Sequence, residues 1–331
     1  MTAGLATARL GRTDVEVTTL GLGTAPLGGL FETVSDADAA AVIDAAWEGG
    51  VRFFDTAPWY GFGRAETRLG PALRGREGYS LATKVGRLLE PSEDPPGPEN
   101  GWPDPLPFAP VHDYGRDGVL RSFEESLARL GLERVDTLFV HDIGSMTHGE
   151  EHARHFADAM GGGLEALQDL KAAGRIGALG IGVNETEVLL AAMDRGDWDV
   201  FLLAGRYTLL EQGALDDLLP RCQRAVTSVV VGGAYNSGLL AGGSTWNYAQ
   251  APTELIERRD RLAAVVREFH VALEAAALQF PAAHPAVASV LMGCRTADEV
   301  RANLAHFTAD VPAELWPRLV SEGLLDERAL G

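Results

Sequence analysis

Short apolar runs alternate with amphipathic stretches along nearly the whole chain, and this rhythm predicts eight strands, each followed by helix. A small hairpin comes first, from the alternating segment Arg9 to Thr19 that turns at Thr13-Asp14. Leu20 to Thr24 reads as the first buried strand. A helix capped by Ser35 or Asp36 then runs to Glu48, with Ala40, Ile43, Ala46 and Trp47 on one face and Gly49-Gly50 ending it. The pattern goes on with strand Val51 to Phe54, helix Ala65 to Leu73, strand Tyr79 to Lys84, helix Val119 to Leu130 and strand Asp136 to Val140. Helix Leu164 to Ala173, strand Ile176 to Gly182, helix Glu187 to Arg195, strand Asp199 to Leu203, helix Leu215 to Arg221 and strand Ala225 to Val231 follow. Helices at 254–270 and 272–280, strand Ala288 to Met292 and helix Ala297 to Ala305 complete the set.

Strands separated by helices need parallel, right-handed crossovers, which leaves an open doubly wound sheet or a closed barrel. No Gly-x-Gly-x-x-Gly occurs: Gly21-Leu22-Gly23 meets Pro26 where the third glycine belongs, and Gly180-Ile181-Gly182 meets Glu185. Eight units without a low-complexity linker favour an α/β fold with residues 1–331 forming one (β/α)8 TIM barrel domain, its site at the carboxyl ends of the strands. Residues 90–116 break the rhythm with Pro91, Pro95, Pro96, Pro98, Pro103, Pro105, Pro107 and Pro110, too many for helix or central strand. This segment follows the third strand and is expected to be a long catalytic-face loop, a lid or pocket wall.

Composition narrows the partners. A formal charge of -19 opposes binding to nucleic acid or to anionic membrane surfaces. Residues 1–20 carry no apolar leader and no apolar run is long enough to span a bilayer, so a soluble cytoplasmic protein is expected. Cys222 and Cys294, far apart in apolar surroundings, predict buried free thiols rather than a disulfide or a metal site.

The candidate chemistry lies at strand ends. Asp55 follows the apolar run Val51-Arg52-Phe53-Phe54, Pro58 fixes the turn after it, and Trp59 and Tyr60 set two aromatics beside the acid. Lys84 ends the next strand and His141 the one after. In a barrel these ends converge on one rim, which puts an acid, a phenol, an ammonium and an imidazole in one pocket.

Asp55, Tyr60, Lys84 and His141 in this order resemble the catalytic tetrad of the aldo-keto reductase superfamily. The resemblance covers essentially the whole chain through Leu10-Gly11-Arg12-Thr13, Gly21 to Thr24, Arg121 to Leu127, Leu130-Gly131 and Gly180 to Asn184. Arg206 to Leu210, Tyr235 to Leu240 and Phe280 to Pro285 look most like the bacterial aldose 1-dehydrogenases acting on L-fucose and D-threo-aldoses. L-galactose dehydrogenase and pyridoxal 4-dehydrogenase are similar too.

The resemblance implies an NAD-linked oxidation of an aldose to its lactone, with NADP as a possible cofactor and no metal. A small sugar or aldehyde would be the partner. Tyr60 would move the proton, Lys84 would lower its pKa, Asp55 would orient Lys84, and neutral His141 would bind the substrate oxygen. Gly23, Thr24, Asn184, Tyr235, Asn236, Ser237, Gly238, Leu239, Gly293, Arg295, Glu299 and Asn303 would hold the cofactor. Tyr235, with Tyr207 as the alternative, would stack on the nicotinamide, and Asp298 and Glu299 beside Arg295 favour NAD. Val183 and Ala204 replace a serine and a glutamine usual in the family, which weakens carboxamide recognition. Trp59, Trp102 and Phe108 would line the substrate pocket.

A cytosolic NADPH-dependent aldehyde or ketone reductase, a pyridoxal 4-dehydrogenase, and a nucleotide-binding sensor with little turnover are the alternatives. His148-Gly149-Glu150-Glu151-His152, with His155 nearby, matches an inverted zinc-protease spacing. Gly149 and the barrel context argue against that reading, and no metal is expected.

Overall fold

The barrel follows from strands that are buried on both faces: Ser80–Val85, Thr137–His141 and Ala178–Val183 have no exposed residue. The computed structural model describes residues 4–96 and 100–330, so Pro98 of the proline-rich segment lies outside the described residues. In chain order the strands are β1 (Thr7–Arg9), β2 (Glu16–Thr18), β3 (Leu20–Gly23), β4 (Phe53–Asp55), β5 (Ser80–Val85), β6 (Arg87–Pro91) and β7 (Phe108–His112). They continue with β8 (Thr137–His141), β9 (Ala178–Val183), β10 (Val200–Ala204), β11 (Ser228–Gly232), β12 (Thr245–Trp246), β13 (Ala249–Gln250) and β14 (Val287–Gly293). The helices are α1 (Asp36–Glu48), α2 (Arg64–Leu73), α3 (Arg116–Leu130), α4 (Ser145–His148), α5 (His152–Asp158) and α6 (Leu164–Ala172). After them come α7 (Thr186–Met193), α8 (Leu218–Ala225), α9 (Thr253–Glu268), α10 (Leu273–Ala282), α11 (Ala297–Phe307) and α12 (Leu315–Ser321).

Strands β3, β4, β5, β8, β9, β10, β11 and β14 pair in that order, all in parallel, and β14 returns to β3 to close the barrel. Phe53, Ala82, Phe139, Ala178, Val200 and Val230 fill its interior together with Leu10, Val15 and Val17. Those last three come from the N-terminal hairpin, β1 and β2, which plugs the end where strands begin; Gly11 N donates to Ser228 Oγ at 2.8 Å there. The opposite end is left to the loops. Strand period carries three side chains into that end, because Asp55, Lys84 and His141 each stand two residues beyond an interior-facing Phe53, Ala82 and Phe139.

The structure alters several expected boundaries. Residues 90–116 are not wholly irregular: β6 and β7 form an antiparallel stem with Pro91 opposite Phe108 and Pro110 opposite Leu89. A two-stranded ribbon has only edges, so prolines with outward nitrogens do not interrupt it. Ala225 ends α8 instead of opening a strand, because Val226 turns left-handed (φ 58°) and β11 starts at Ser228. The polar stretch after β8 folds as α4, α5 and a π-helical turn at Ala159–Gly163 running into α6. The sequence pattern also gave no sign of α12 or of the two-residue strands β12 and β13. Cys222 and Cys294 are buried free thiols. No helix among the described residues is long and apolar enough to cross a membrane.

Candidate active site

Three strand ends bring the four expected groups together. Lys84 Nζ, at the end of β5, donates to Asp55 Oδ1 at 2.8 Å, Asp55 Oδ2 at 2.6 Å and Thr56 O at 2.9 Å, and lies 3.1 Å from Tyr60 Oη. Four oxygens thus share an ammonium with three protons, so the phenol competes with the acid for one of them. Tyr60 is held on the turn after β4 by Tyr60 N to Ala57 O, and its ring meets the His141 imidazole edge-on, 6.0 Å between centroids.

Burial dominates the electrostatics. It pushes Asp55 up and Lys84 down, each opposed by the other's charge. The same burial raises Tyr60 well above 10, with the Asp55 carboxylate adding to the rise. Burial and Asp55 thus outweigh the lowering expected of Lys84 in the chain by itself. Paired to Asp55, the ammonium presents a nearly neutral ion pair to Tyr60, and little field is left to offset desolvation. His141 is pushed well below 6.5 by burial and by the Arg87 and Lys84 cations, so its imidazole is neutral at neutral pH.

Around this centre lie groups that the strand-end reading missed. Arg87 opens β6, separated from β5 by one residue; its guanidinium sits 4.3 Å from the Trp59 ring centre and pairs with Asp142 Oδ2 at 2.6 Å. Tyr114 Oη donates to the His141 carbonyl at 2.8 Å and lies 2.9 Å from His148 Nε2. His148 in turn packs against His155 and His112, with ring centroids 4.1 and 4.6 Å away. Gly149 (φ 52°) breaks the chain between α4 and α5, and His152 is exposed with its Nδ1 on Gly149 O, so the zinc-protease spacing does not fall on one helix. Among the described residues no group of three or more His, Cys, Asp or Glu side chains could hold a metal ion.

The three aromatics expected at the substrate divide. Trp59 is half-buried over Arg87 and 5.3 Å from Phe62. Phe108 is half-buried in β7 against the Phe62, Leu89 and Trp102 cluster. Trp102 is only 1% exposed, wedged 6.0 Å from Trp59 and 6.1 Å from Tyr60. It backs the pocket wall and does not face the pocket, because the β6–β7 ribbon folds its own apolar side chains inward.

The cofactor candidates also separate. Asn236 (φ 48°), Ser237 (φ 57°) and Gly238 (φ 95°) turn left-handed in succession after β11, with Asn236 N bonded to Gly233 O at 2.8 Å and Gly238 N to Tyr235 O at 3.1 Å, which leaves Ser237 N as the donor this loop can offer a ligand. Buried Asn236 holds this loop through Thr208 Oγ1 at 2.6 Å, and Leu239 is buried behind it. Thr24 is buried with its hydroxyl on Asp55 O at 3.0 Å, and Gly23 ends β3 opposite Gly293 of β14. Arg295 precedes the N-terminus of α11, where Thr296 caps Glu299 N and Glu299 Oε2 accepts from Arg295 N at 2.6 Å. Helix start and guanidinium, with Ser237 N among the candidate donors, fit anionic phosphate groups.

Tyr235 is half-buried and anchored through its hydroxyl, which donates to Asn303 Oδ1 at 2.7 Å, while Asn303 Nδ2 reaches Cys294 Sγ at 3.2 Å. The two side chains thus satisfy each other between β11 and α11. Tyr207 is buried against Phe280 and His284. An aromatic that reaches the mouth is Tyr248, at the left-handed tip of the β12–β13 hairpin. It is 53% exposed and lies 6.1 Å from Phe31 across the opening, with its phenol near the Asn184 side chain. Asn184 Nδ2 also donates to Ala204 O at 2.9 Å. Nothing in the polar run around Tyr248 marked it beforehand.

Residues 19–321 match a profile described as the Aldo/keto reductase family. The chain is 46% identical to pyridoxal 4-dehydrogenase of Microbacterium luteolum, over 96% of this chain and 97% of that protein. It is 38% identical to D-threo-aldose 1-dehydrogenase of a Pseudomonas species, over 92% of this chain and 94% of the relative. Its fold superposes on the holo form of an aldo-keto reductase from Bacillus halodurans with a TM-score of 0.74 and 24% identity, covering 99% of this chain and 100% of the other.

Proposed function

Because the chain belongs to the aldo/keto reductase family, we propose that this oxidoreductase uses NAD to oxidise an aldose of the L-fucose, D-arabinose or L-galactose type at C1, giving the lactone. The observation that carries the reading is the contact of Lys84 with Tyr60 Oη and both oxygens of Asp55 beside a neutral His141. A bound nicotinamide nucleotide supplies the hydride acceptor, or the donor in reverse. The chain's part is to orient and to move a proton. His141 donates a hydrogen bond to the substrate oxygen, Tyr60 Oη takes that oxygen's proton in oxidation or gives it back in reduction, and Lys84 meets the charge that forms on the phenol. Asp55 keeps Lys84 aimed.

Left-handed loop 236–238, Gly23, Thr24, Asn184, Gly293, Arg295 and Glu299 are the residues proposed to hold the nucleotide. NAD is favoured over NADP because Arg295 has carboxylates on two sides: Glu299 at its backbone and Glu32 Oε2 at 3.7 Å from its Nε. Acidic net charge and buried free thiols support a cytoplasmic setting for residues 1–331 acting as one unit. The 46% identity to a pyridoxal 4-dehydrogenase supports a second reading, oxidation of pyridoxal on the same site. Steady-state assays of L-fucose, D-arabinose, L-galactose and pyridoxal with NAD and NADP decide between them. Turnover of pyridoxal alone replaces the sugar reading, and no turnover with any of them removes both.

A further inference from the structure

The residue after His141 carries two structural costs that the tetrad does not explain. Asp142 is left-handed (φ 49°), a state that costs an aspartate less than most side chains but more than glycine. It is also half of a nearly buried ion pair: its side chain is 19% exposed and that of Arg87 is 4% exposed. Removing two charges from water is repaid only by good geometry and full hydrogen bonding. Arg87 lacks the second, since its Nε and Nη1 are sealed without partners. Strain and a costly ion pair meeting at one residue beside the catalytic imidazole point to a role in the site.

The geometry says which role. Asp142 Oδ2 takes Arg87 Nη2 at 2.6 Å and lies 3.4 Å from His141 Nε2. Oδ1 makes no hydrogen bond among the described residues and is not one of the atoms sealed from solvent. The carboxylate is also near enough to the phenols of Tyr60 and Tyr248 for its charge to act on both. Beside an imidazole nitrogen there is thus an acceptor with one oxygen to spare. Oxygens on neighbouring carbons of a polyol lie roughly 3 Å apart, so a carboxylate whose nearer oxygen is 3.4 Å from the imidazole nitrogen stands within reach of the oxygen next to the one that nitrogen holds.

We propose that Asp142, held in place by Arg87, accepts a hydrogen bond from the hydroxyl on the carbon next to the reacting carbon, and so selects α-hydroxy carbonyl compounds and their cyclic hemiacetals over plain aldehydes. This rests on the reading that His141 holds the reacting oxygen. A substrate lacking the hydroxyl leaves a partly buried carboxylate facing the pocket without its donor, which water replaces only in part. The expected discrimination is about 10- to 100-fold in kcat/KM.

The test compares 2-hydroxypropanal with propanal in reduction, and an aldose with its 2-deoxy analogue in oxidation. The proteins are the wild type, Asp142→Asn, and the double variant Arg87→Met/Asp142→Gly. Asparagine tolerates the left-handed backbone, and the double variant fits glycine to that φ while leaving no orphan cation. The expected result is a wild-type preference for the hydroxylated member that collapses toward unity in both variants, mainly through its KM. An equal fall for both members of a pair shows that Asp142 only positions His141 and overturns the proposal, as does an unchanged preference. If aldoses are not oxidised but the propanal pair behaves as expected, the sugar reading falls and the assignment of Asp142 stands. Absence of turnover with every substrate overturns both.

Discussion

Lys84 Nζ touches both carboxylate oxygens of Asp55, at 2.8 and 2.6 Å, with the two side chains only 1% and 2% exposed. A pair this deep is far worse broken than replaced. Lys84→Met leaves a buried carboxylate unpaired and is expected to cost about 3–5 kcal/mol, whereas Lys84→Met/Asp55→Leu recovers much of the loss. Urea unfolding of the three proteins checks this, and equal destabilisation of single and double variants contradicts it.

Burial keeps the Tyr60 phenol protonated, which gives the two directions opposite pH behaviour. Oxidation needs the phenolate, whose fraction rises with pH, so kcat should climb between pH 7 and pH 10. Reduction draws on the phenol and should stay flat over the same window. Tyr60→Phe should lower both by about 10²- to 10⁴-fold and leave cofactor affinity, read by fluorescence titration, nearly unchanged. Activity retained by this variant removes Tyr60 from the proton transfer.

Cofactor choice tests the surroundings of Arg295. With Glu32 and Glu299 both near it, a 2'-phosphate meets two carboxylates as well as a guanidinium. Glu32→Gln/Glu299→Gln should therefore narrow the preference for NAD by roughly tenfold, about 1.4 kcal/mol. Arg295→Ala should weaken NADP more than NAD. Equal effects on the two nucleotides place Arg295 away from the 2' position.

Acid should loosen the catalytic face before the rest of the barrel. Burial and neighbouring cations lower His112 to about 3 and His148 to about 4, and His155 is lowered beside them. A histidine whose folded pKa is depressed contributes stability that is complete above its unfolded value near 6.5 and is lost as pH falls toward the folded value. Melting temperature should drop between pH 6.5 and pH 4, and His148→Gln should flatten that slope. Arg87 and Arg154 face this cluster and Asp158 and Glu151 oppose them, so the comparison belongs at constant ionic strength.

The barrel was legible because its signals are periodic. Strand ends at Asp55, Lys84 and His141 could be placed from apolar runs alone, since side chains two residues apart share a face. What escaped has no period. Tyr248 reaches the mouth on a hairpin with two-residue strands, and Trp102 became wall because a ribbon hidden among prolines folded over it. The partner of Tyr235 was hidden by distance along the chain: its hydroxyl reaches Asn303, 68 residues further on, and no periodic signal links the two. Asp142 stood beside His141 in the sequence, but its partner Arg87 comes from another strand, and only the folded chain joins them.

Rooted on β5 and returning to α3, the β6–β7 ribbon hydrogen-bonds to itself and adds no strand to the barrel. Its outer turn, between Pro91 and Phe108, enters and leaves through neighbouring points, so its length is invisible to the register of the eight strands. The ribbon's base nonetheless carries Arg87 into the pair with Asp142 and its turn sets Trp102 against Tyr60, so a change in the ribbon reaches the proton-moving groups through two side chains.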